Sequence, residues 1–192
     1  MKPINVITSS EIKMKEFKAV LLPEFNVVPY DMELIEPQLA DQYAVTAYKA
    51  KEAYSKIQQP LCVDDFGLYI PRYNNFPGTL TGLVFKTLGY DGFFKLIDDK
   101  EPAYYKSVIA YIDENGIQFF DGILKGHINC QILGEASMFK YPCNNIFIPE
   151  GSNKPYAEVY LSGDGFRSHR RPALEKLKKF LLQLSTTNAF NS

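Results

Sequence analysis

The sequence predicts an α/β protein with a mixed sheet flanked by helices. Three observations carry this. The chain opens with a short apolar run, a polar turn and a helical pattern. A long helical pattern ends at Pro60 and feeds an apolar strand, Leu61 to Val63. Two long apolar runs, Tyr104 to Ile112 and Ile117 to Ile132, flank the turn Glu114-Asn115-Gly116 and read as a hairpin. Strands that alternate with helices and then pair in a hairpin give a mixed sheet.

The elements follow in order. Ile4 to Thr8 is β-like and stops at Ser9-Ser10, either of which can cap a helix. Glu11 to Leu22 places Ile12, Phe17, Val20 and Leu21 at helical spacing. Phe25 to Val28 reads as a second strand. Asp41 to Gln59 is the longest helical pattern, with Ala44, Ala47, Ala50 and Ala53 as small packing positions. Phe76-Pro77-Gly78 reads as a turn. Leu80 to Leu88 and Gly92 to Ile97 read as two short helices, and residues 134–151 as irregular. Arg171 to Leu184 is amphipathic, with Leu174, Leu177, Phe180 and Leu181 on one face. No repeat or linker divides the chain, so one domain over 1–185 with a frayed tail at 186–192 is expected.

Composition narrows the function. The 192 residues are 46% apolar, enough for a sizeable core, and the formal net charge is −1. A global basic field for nucleic acid or anionic membrane is therefore absent, and neither partner is expected. A small anionic ligand would need local cations or a metal. Three cysteines at wide spacing and two histidines argue against a disulfide framework or a zinc site. No stretch reaches transmembrane length and the N-terminus lacks a signal-peptide run, so a cytoplasmic setting is expected.

Three segments could carry chemistry. Thr8-Ser9-Ser10 precedes a helix whose free N–H groups and dipole favour an anion, with Lys13 one turn further on. A plain serine cap beside an exposed lysine fits the same residues. Asp64-Asp65 ends an apolar strand, where two adjacent carboxylates are costly without a positive partner. A hard divalent cation suits them, and it brings phosphate with it. Alternation points the two side chains in different directions, and Gly67 would let the backbone turn away behind them. A simple Asp-Asp turn is the other reading. Glu36 is a further candidate ligand from a loop. Arg167-Ser168-His169-Arg170-Arg171 crowds donors at the start of the last helix, against the dipole, which suits a bound anion or a solvated basic turn.

Together and in this order, these segments resemble the inosine triphosphate pyrophosphatase family, also called HAM1-like. Thr8 to Glu16 looks like its T-G-N-x-x-K-x-x-E, Glu36-Pro37-Gln38 its E-x-Q, and Asp64 to Leu68 its (E/D)-D-(T/S)-G-L. Pro77-Gly78, Gly122 with Gly126, Tyr156-Ala157-Glu158 and Ser168-His169-Arg170 are similar to its P-G, G-x-x-x-G, T-(F/Y)-A-E and S-H-R. The resemblance implies an elongated mixed α/β sheet flanked by helices, with two lobes around a central nucleotide cleft, usually in a homodimer. It implies Mg2+-dependent hydrolysis of non-standard purine nucleoside triphosphates, such as ITP, dITP and XTP, to monophosphate and pyrophosphate. Glu36 and Asp65 would hold the metal, and Asp65 or Asp64 would handle the attacking water. Thr8, Ser9, Ser10 and Lys13 would hold phosphates, with Lys13 also counted in the catalytic set. Arg167, Ser168, His169 and Arg170 would contact base or sugar-phosphate.

The chain departs from the family first in its phosphate turn, where Ser9-Ser10 replaces Gly-Asn, and more widely where the base is read. The loop F-G-(Y/W)-D-P-x-F becomes Met138 to Phe147, with Asn144 near the family's Asp and Phe139 or Tyr141 available to stack. Asp164 and Gly165 stand where a Lys-Asn precedes S-H-R. An Asn in place of an Asp changes a pure acceptor into a donor and acceptor. Altered base specificity is expected. Hydrolysis of another or a modified nucleotide, a monophosphate included, and nucleotide binding without turnover are the alternatives.

Overall fold

The architecture follows from one ten-residue strand, β3 (Leu61–Ile70), around which everything else is placed. The computed structural model describes residues 3–134, 142–163 and 167–190, with side chains to 186. Its seven-stranded sheet runs β2-β1-β3-β5-β6-β7, and β4 pairs with β3 off that path. Here β1 is Ile4–Ile7, β2 Val27–Tyr30, β4 Phe76–Gly78, β5 Glu101–Asp113, β6 Gly116–Ile128 and β7 Phe147–Pro149. The β2-β1-β3 pairs are parallel; those of β3 with β4 and β5, and of β6 with β5 and β7, are antiparallel. The expected mixed α/β sheet is the observed one.

Local chemistry sets the helices. In α1 (Glu11–Leu21), Ser10 caps the first turn by accepting from the Lys13 amide. Asp41 caps α2 (Gln42–Ile57), which ends on left-handed Gln58 ahead of Pro60. The two short helices expected around 80–97 form α3 (Thr81–Phe94), broken at Gly89 with φ 62°. Then come α4 (Tyr156–Ser162) and α5 (Arg170–Phe190).

Several expectations need correcting. The second strand lies two residues later, because Val27 to Tyr30 are what pair with β1. Phe76-Pro77-Gly78 forms β4 rather than a turn. The strand does not turn at Gly67. It continues, and Gly67 is needed because a Cβ there would stand 2.6 Å from the Gly78 carbonyl oxygen of β4. Within the segment expected to be irregular lie a 3-10 turn, Pro142–Asn145, and β7. The last helix starts a residue earlier and runs to Phe190, past the expected end at Leu184.

Alternation along β3 divides the core. Cys62 packs with α1 and α5 residues such as Phe17 and Leu174, while Leu68 and Ile70 join Phe85, Phe93 and Phe147 at the other end. Leu61 and Val63 face α2, against Ala50 and Ala53. Asp64 and Asp65 therefore lie between apolar clusters, midway along the central strand. Among the described residues no helix is long and apolar enough to cross a membrane.

Candidate active site at a break in the sheet edge

The strand β1 pairs with β3 only as far as Val63, and β4 takes over only at Leu68. Residues 64–67 have a paired neighbour, β5, on one side only. This break lies just beyond the carboxyl end of β1, where open parallel sheets place their ligand crevices. Because successive side chains point to opposite faces, Asp64 is on the face covered by α1 and α5, and Asp65 is on the face covered by α2.

Asp64 is buried among donors. Its Oδ2 lies 2.8 Å from Lys13 Nζ and its Oδ1 3.1 Å from Arg170 Nε, and Ser107 Oγ donates to Oδ1. Lys13 Nζ also donates to the Asp64 carbonyl at 3.1 Å, closing part of the exposed strand edge. Burial alone would raise the Asp64 pKa; Arg170 and Lys13 overcome it and hold the carboxyl well below the usual range. Glu16 holds Arg170 from the other side.

Asp65 is in a different balance. Lys49 Nζ sits 3.3 Å from its Oδ1 and 2.7 Å from Oε1 of Glu36, drawing the loop carboxylate toward the strand carboxylate. Gln42 Nε2 donates to Asp65 Oδ2 at 3.3 Å. Burial outweighs Lys49 and Lys13, so the Asp65 pKa is raised. Lys49 is itself buried, which would lower its pKa, yet Asp65 and Glu36 raise it and keep it charged.

His169 lies against the rings of Phe66, Tyr105 and Tyr156, with centroids 4.9, 5.4 and 5.7 Å away. Neither ring nitrogen has a hydrogen-bond partner among the described residues. Burial, reinforced by Arg170, pushes its pKa well below the ordinary value. Asn144 is buried nearby, and its Oδ1 accepts from the Tyr105 hydroxyl at 3.1 Å.

The expected residues are thus only partly assembled. Lys13, Asp64 and Arg170 meet on one face, and Glu36 and Asp65 on the other. Thr8 and Ser10 hydroxyls are engaged in the turn itself, by the Ser10 and Lys13 amides, while Ser9 is exposed. Ser168 accepts from the Arg170 amide. Arg167 is not drawn in: its side chain is 65% exposed and paired with Glu175. Phe139, Tyr141, Asp164 and Gly165 lie outside the described residues.

The sequence alone singles out neither Gln42, Lys49 nor Ser107, and gives Glu16 only its place at the end of the Thr8-to-Glu16 motif. For Gln42 and Lys49 a signal existed. Residues 42, 45, 46, 49, 50 and 53 form the buried face of α2, so a glutamine and a lysine stand on an otherwise small and apolar stripe. Such polar intrusions require partners.

Charge decides what this break in the sheet edge can hold. Three cations, Lys13, Lys49 and Arg170, face four carboxylates, Asp64, Asp65, Glu36 and Glu16. A polyphosphate needs further positive charge. Among the described residues, no three His, Cys, Asp or Glu side chains gather for a metal. Glu36 and Asp65 converging on one ammonium fit the one or two carboxylates that Mg2+ takes alongside water and phosphate oxygens.

Known proteins share this frame. A dITP/XTP pyrophosphatase of Hyperthermus butylicus is 36% identical over 183 residues, covering 94% of this chain and 95% of that protein. One of Korarchaeum cryptofilum is 34% identical over 181 residues, covering 93% and 96%. The solved HAM1 protein of Coxiella burnetii superposes with a TM-score of 0.80 at 22% identity, over 95% of this chain and all (100%) of that one. The Staphylococcus aureus Ham1 protein gives 0.74 at 23%, over 95% and 99%. With the Ham1 family model matching residues 4–180, from β1 through most of α5, this chain belongs to the Ham1 family.

Proposed function

We propose that the chain hydrolyses nucleoside triphosphates with non-standard purines, the dITP and XTP class named for its relatives, to monophosphate and pyrophosphate. The observation that carries this is the adjacent aspartate pair at the sheet break, each member matched to a lysine from a different helix. In this reading Lys13 and Arg170 bind phosphate oxygens while Asp64 holds both cations in place. Asp65, held by Lys49 and Gln42 at 3.3 Å rather than clamped between two cations as Asp64 is, takes the proton of the attacking water in this reading. Glu36 and Asp65 would hold Mg2+, which supplies positive charge against the polyphosphate and its leaving group. A cytoplasmic setting and a homodimer belong to the same reading.

The test is release of pyrophosphate and monophosphate from dITP, XTP, dATP and dGTP, with Mg2+ and with EDTA. Pyrophosphate from dITP or XTP only when Mg2+ is present is expected. Orthophosphate instead, or no product from any nucleotide, sinks the proposal.

Altered base preference has its own observation. Tyr105 occupies Asn144 Oδ1, so the amide presents its N–H2 where a carboxylate would present only acceptors. Asn144→Asp is expected to raise the kcat/KM ratio of dITP over dATP by roughly tenfold, the size of one hydrogen bond. An unchanged ranking rejects Asn144 as a reader of the base.

A further inference from the structure

Gln42 is 3% exposed on the inner face of α2. Its carboxamide makes three hydrogen bonds. Nε2 donates to Asp65 Oδ2 and to the Lys106 carbonyl, both at 3.3 Å, and Oε1 accepts from the Tyr69 hydroxyl at 2.9 Å. The Lys106 carbonyl can only accept, so the nitrogen end of the amide must face it. That choice leaves the oxygen for Tyr69 and the second N–H for Asp65. Tyr69 is buried, and its ring stacks on Tyr104 at 5.0 Å with an interplanar angle of 7°. The phenol is thus held, both N–H groups of the amide are engaged, and it cannot rotate without breaking all three bonds.

We infer that Gln42, locked by Tyr69, is a positioning residue that fixes the Asp65 carboxylate, holding Oδ2 so that Oδ1 stays turned to Lys49. Lys49 alone does not do this. An ammonium is a point charge on a flexible stem and accepts either carboxylate oxygen, whereas an amide N–H selects one oxygen and one direction. Tyr69 is linked to Asp65 by hydrogen bonds through Gln42. The inference rests on the proposed hydrolysis, because it concerns which Asp65 oxygen is offered to the reaction.

Tyr69→Phe, Gln42→Met and the double variant test it, with kcat and KM for dITP, thermal midpoints and a crystal structure of nucleotide-free Gln42→Met. Misplacing Asp65 is expected to lower kcat roughly tenfold in Gln42→Met and about threefold in Tyr69→Phe, with KM within about twofold of the parent. Groups acting in series are not additive, so the double variant should fall no lower than Gln42→Met. In the crystal, the Asp65 carboxylate of Gln42→Met should leave its parent orientation. Unchanged kcat, a rise in KM alone, additive losses, or a fall in thermal midpoint alone overturns the inference. So does an Asp65 carboxylate that keeps its place. If the parent protein cleaves no triphosphate, the proposed function fails, and the crystallographic position of Asp65 still decides the role of Gln42. Should Gln42→Met not fold, Tyr69→Phe, which removes a single oxygen, carries both measurements.

Discussion

At the scale of single residues, two neighbouring aspartates differ because they face different surroundings. Asp64 is saturated by Lys13, Arg170 and Ser107, while Asp65 keeps a raised pKa. Asp65→Asn should therefore lower turnover by at least about 10²-fold with the circular dichroism spectrum unchanged; retained turnover would remove Asp65 from the mechanism. His169 leads to a prediction about pH. Its folded-state pKa is depressed below the ordinary 6.5. Between the folded value and 6.5 the unfolded chain binds a proton that the folded chain does not, so stability falls as pH falls below 6.5, by at most about 1.4 kcal/mol per pH unit. The thermal midpoint should drop from pH 7 to pH 5.5, and His169→Asn should flatten that part of the curve. A curve of the same slope in the variant would assign the dependence elsewhere. The sequence could show that a histidine follows Ser168. It could not show that Phe66, Tyr105 and Tyr156, from three separate elements, enclose it.

At the scale of elements, the helices were legible because caps and apolar periodicity are local. Ser10, Asp41 and the Pro60 stop mark α1 and α2 directly. The three-residue strands β4 and β7 were not, because so short a strand exists only through its partner. The seven-residue α4 starts after Pro155 without a side-chain cap, so it gave little to read. The packing of α5 on β6 depends on Gly122, where a Cβ would lie 2.2 Å from the His169 carbonyl oxygen and 3.0 Å from the Ala173 amide nitrogen. Backbone cannot yield as a side chain tip can, so Gly122→Ala should cost about 2–4 kcal/mol of stability in urea unfolding. Gly82 of α3 meets nothing within 4 Å, and Gly82→Ala should be neutral or stabilise by about 0.5 kcal/mol. Equal effects at the two positions would contradict the close packing of α5.

At the scale of the whole molecule, the mixed sheet was predictable, and the strand order was not. Nothing in residues 1–70 announces that β1 ends at Ile7, opposite Val63, while β3 runs on, yet this mismatch creates the open edge at 64–67. Lys49 and Gln42 were missed for the same reason: their meaning depends on which face of β3 α2 covers. If the cleft takes a nucleotide with its metal, ligand binding stabilises the folded state by mass action. A non-hydrolysable dITP analogue with Mg2+ at about 100 times its Kd should add about 2.7 kcal/mol and raise the thermal midpoint by roughly 5–10 °C. No rise, with binding confirmed by calorimetry, would mean that the unfolded chain binds it equally well.

The placement of Asp64 and Asp65 back to back on one strand has an evolutionary consequence. The side that carries Asp65 is furnished by α2 and the Glu36 loop, and the side that carries Asp64 by α1, α5 and the turn bearing Asn144. The two sets meet at the Asp64–Asp65 peptide, and Lys13 acts on both carboxylates. Under the proposed function, a lineage can change residue 144 without touching the Glu36–Lys49–Asp65 group, whereas Lys13 and Arg170, which share the Asp64 side with that turn, stay tied to the phosphates.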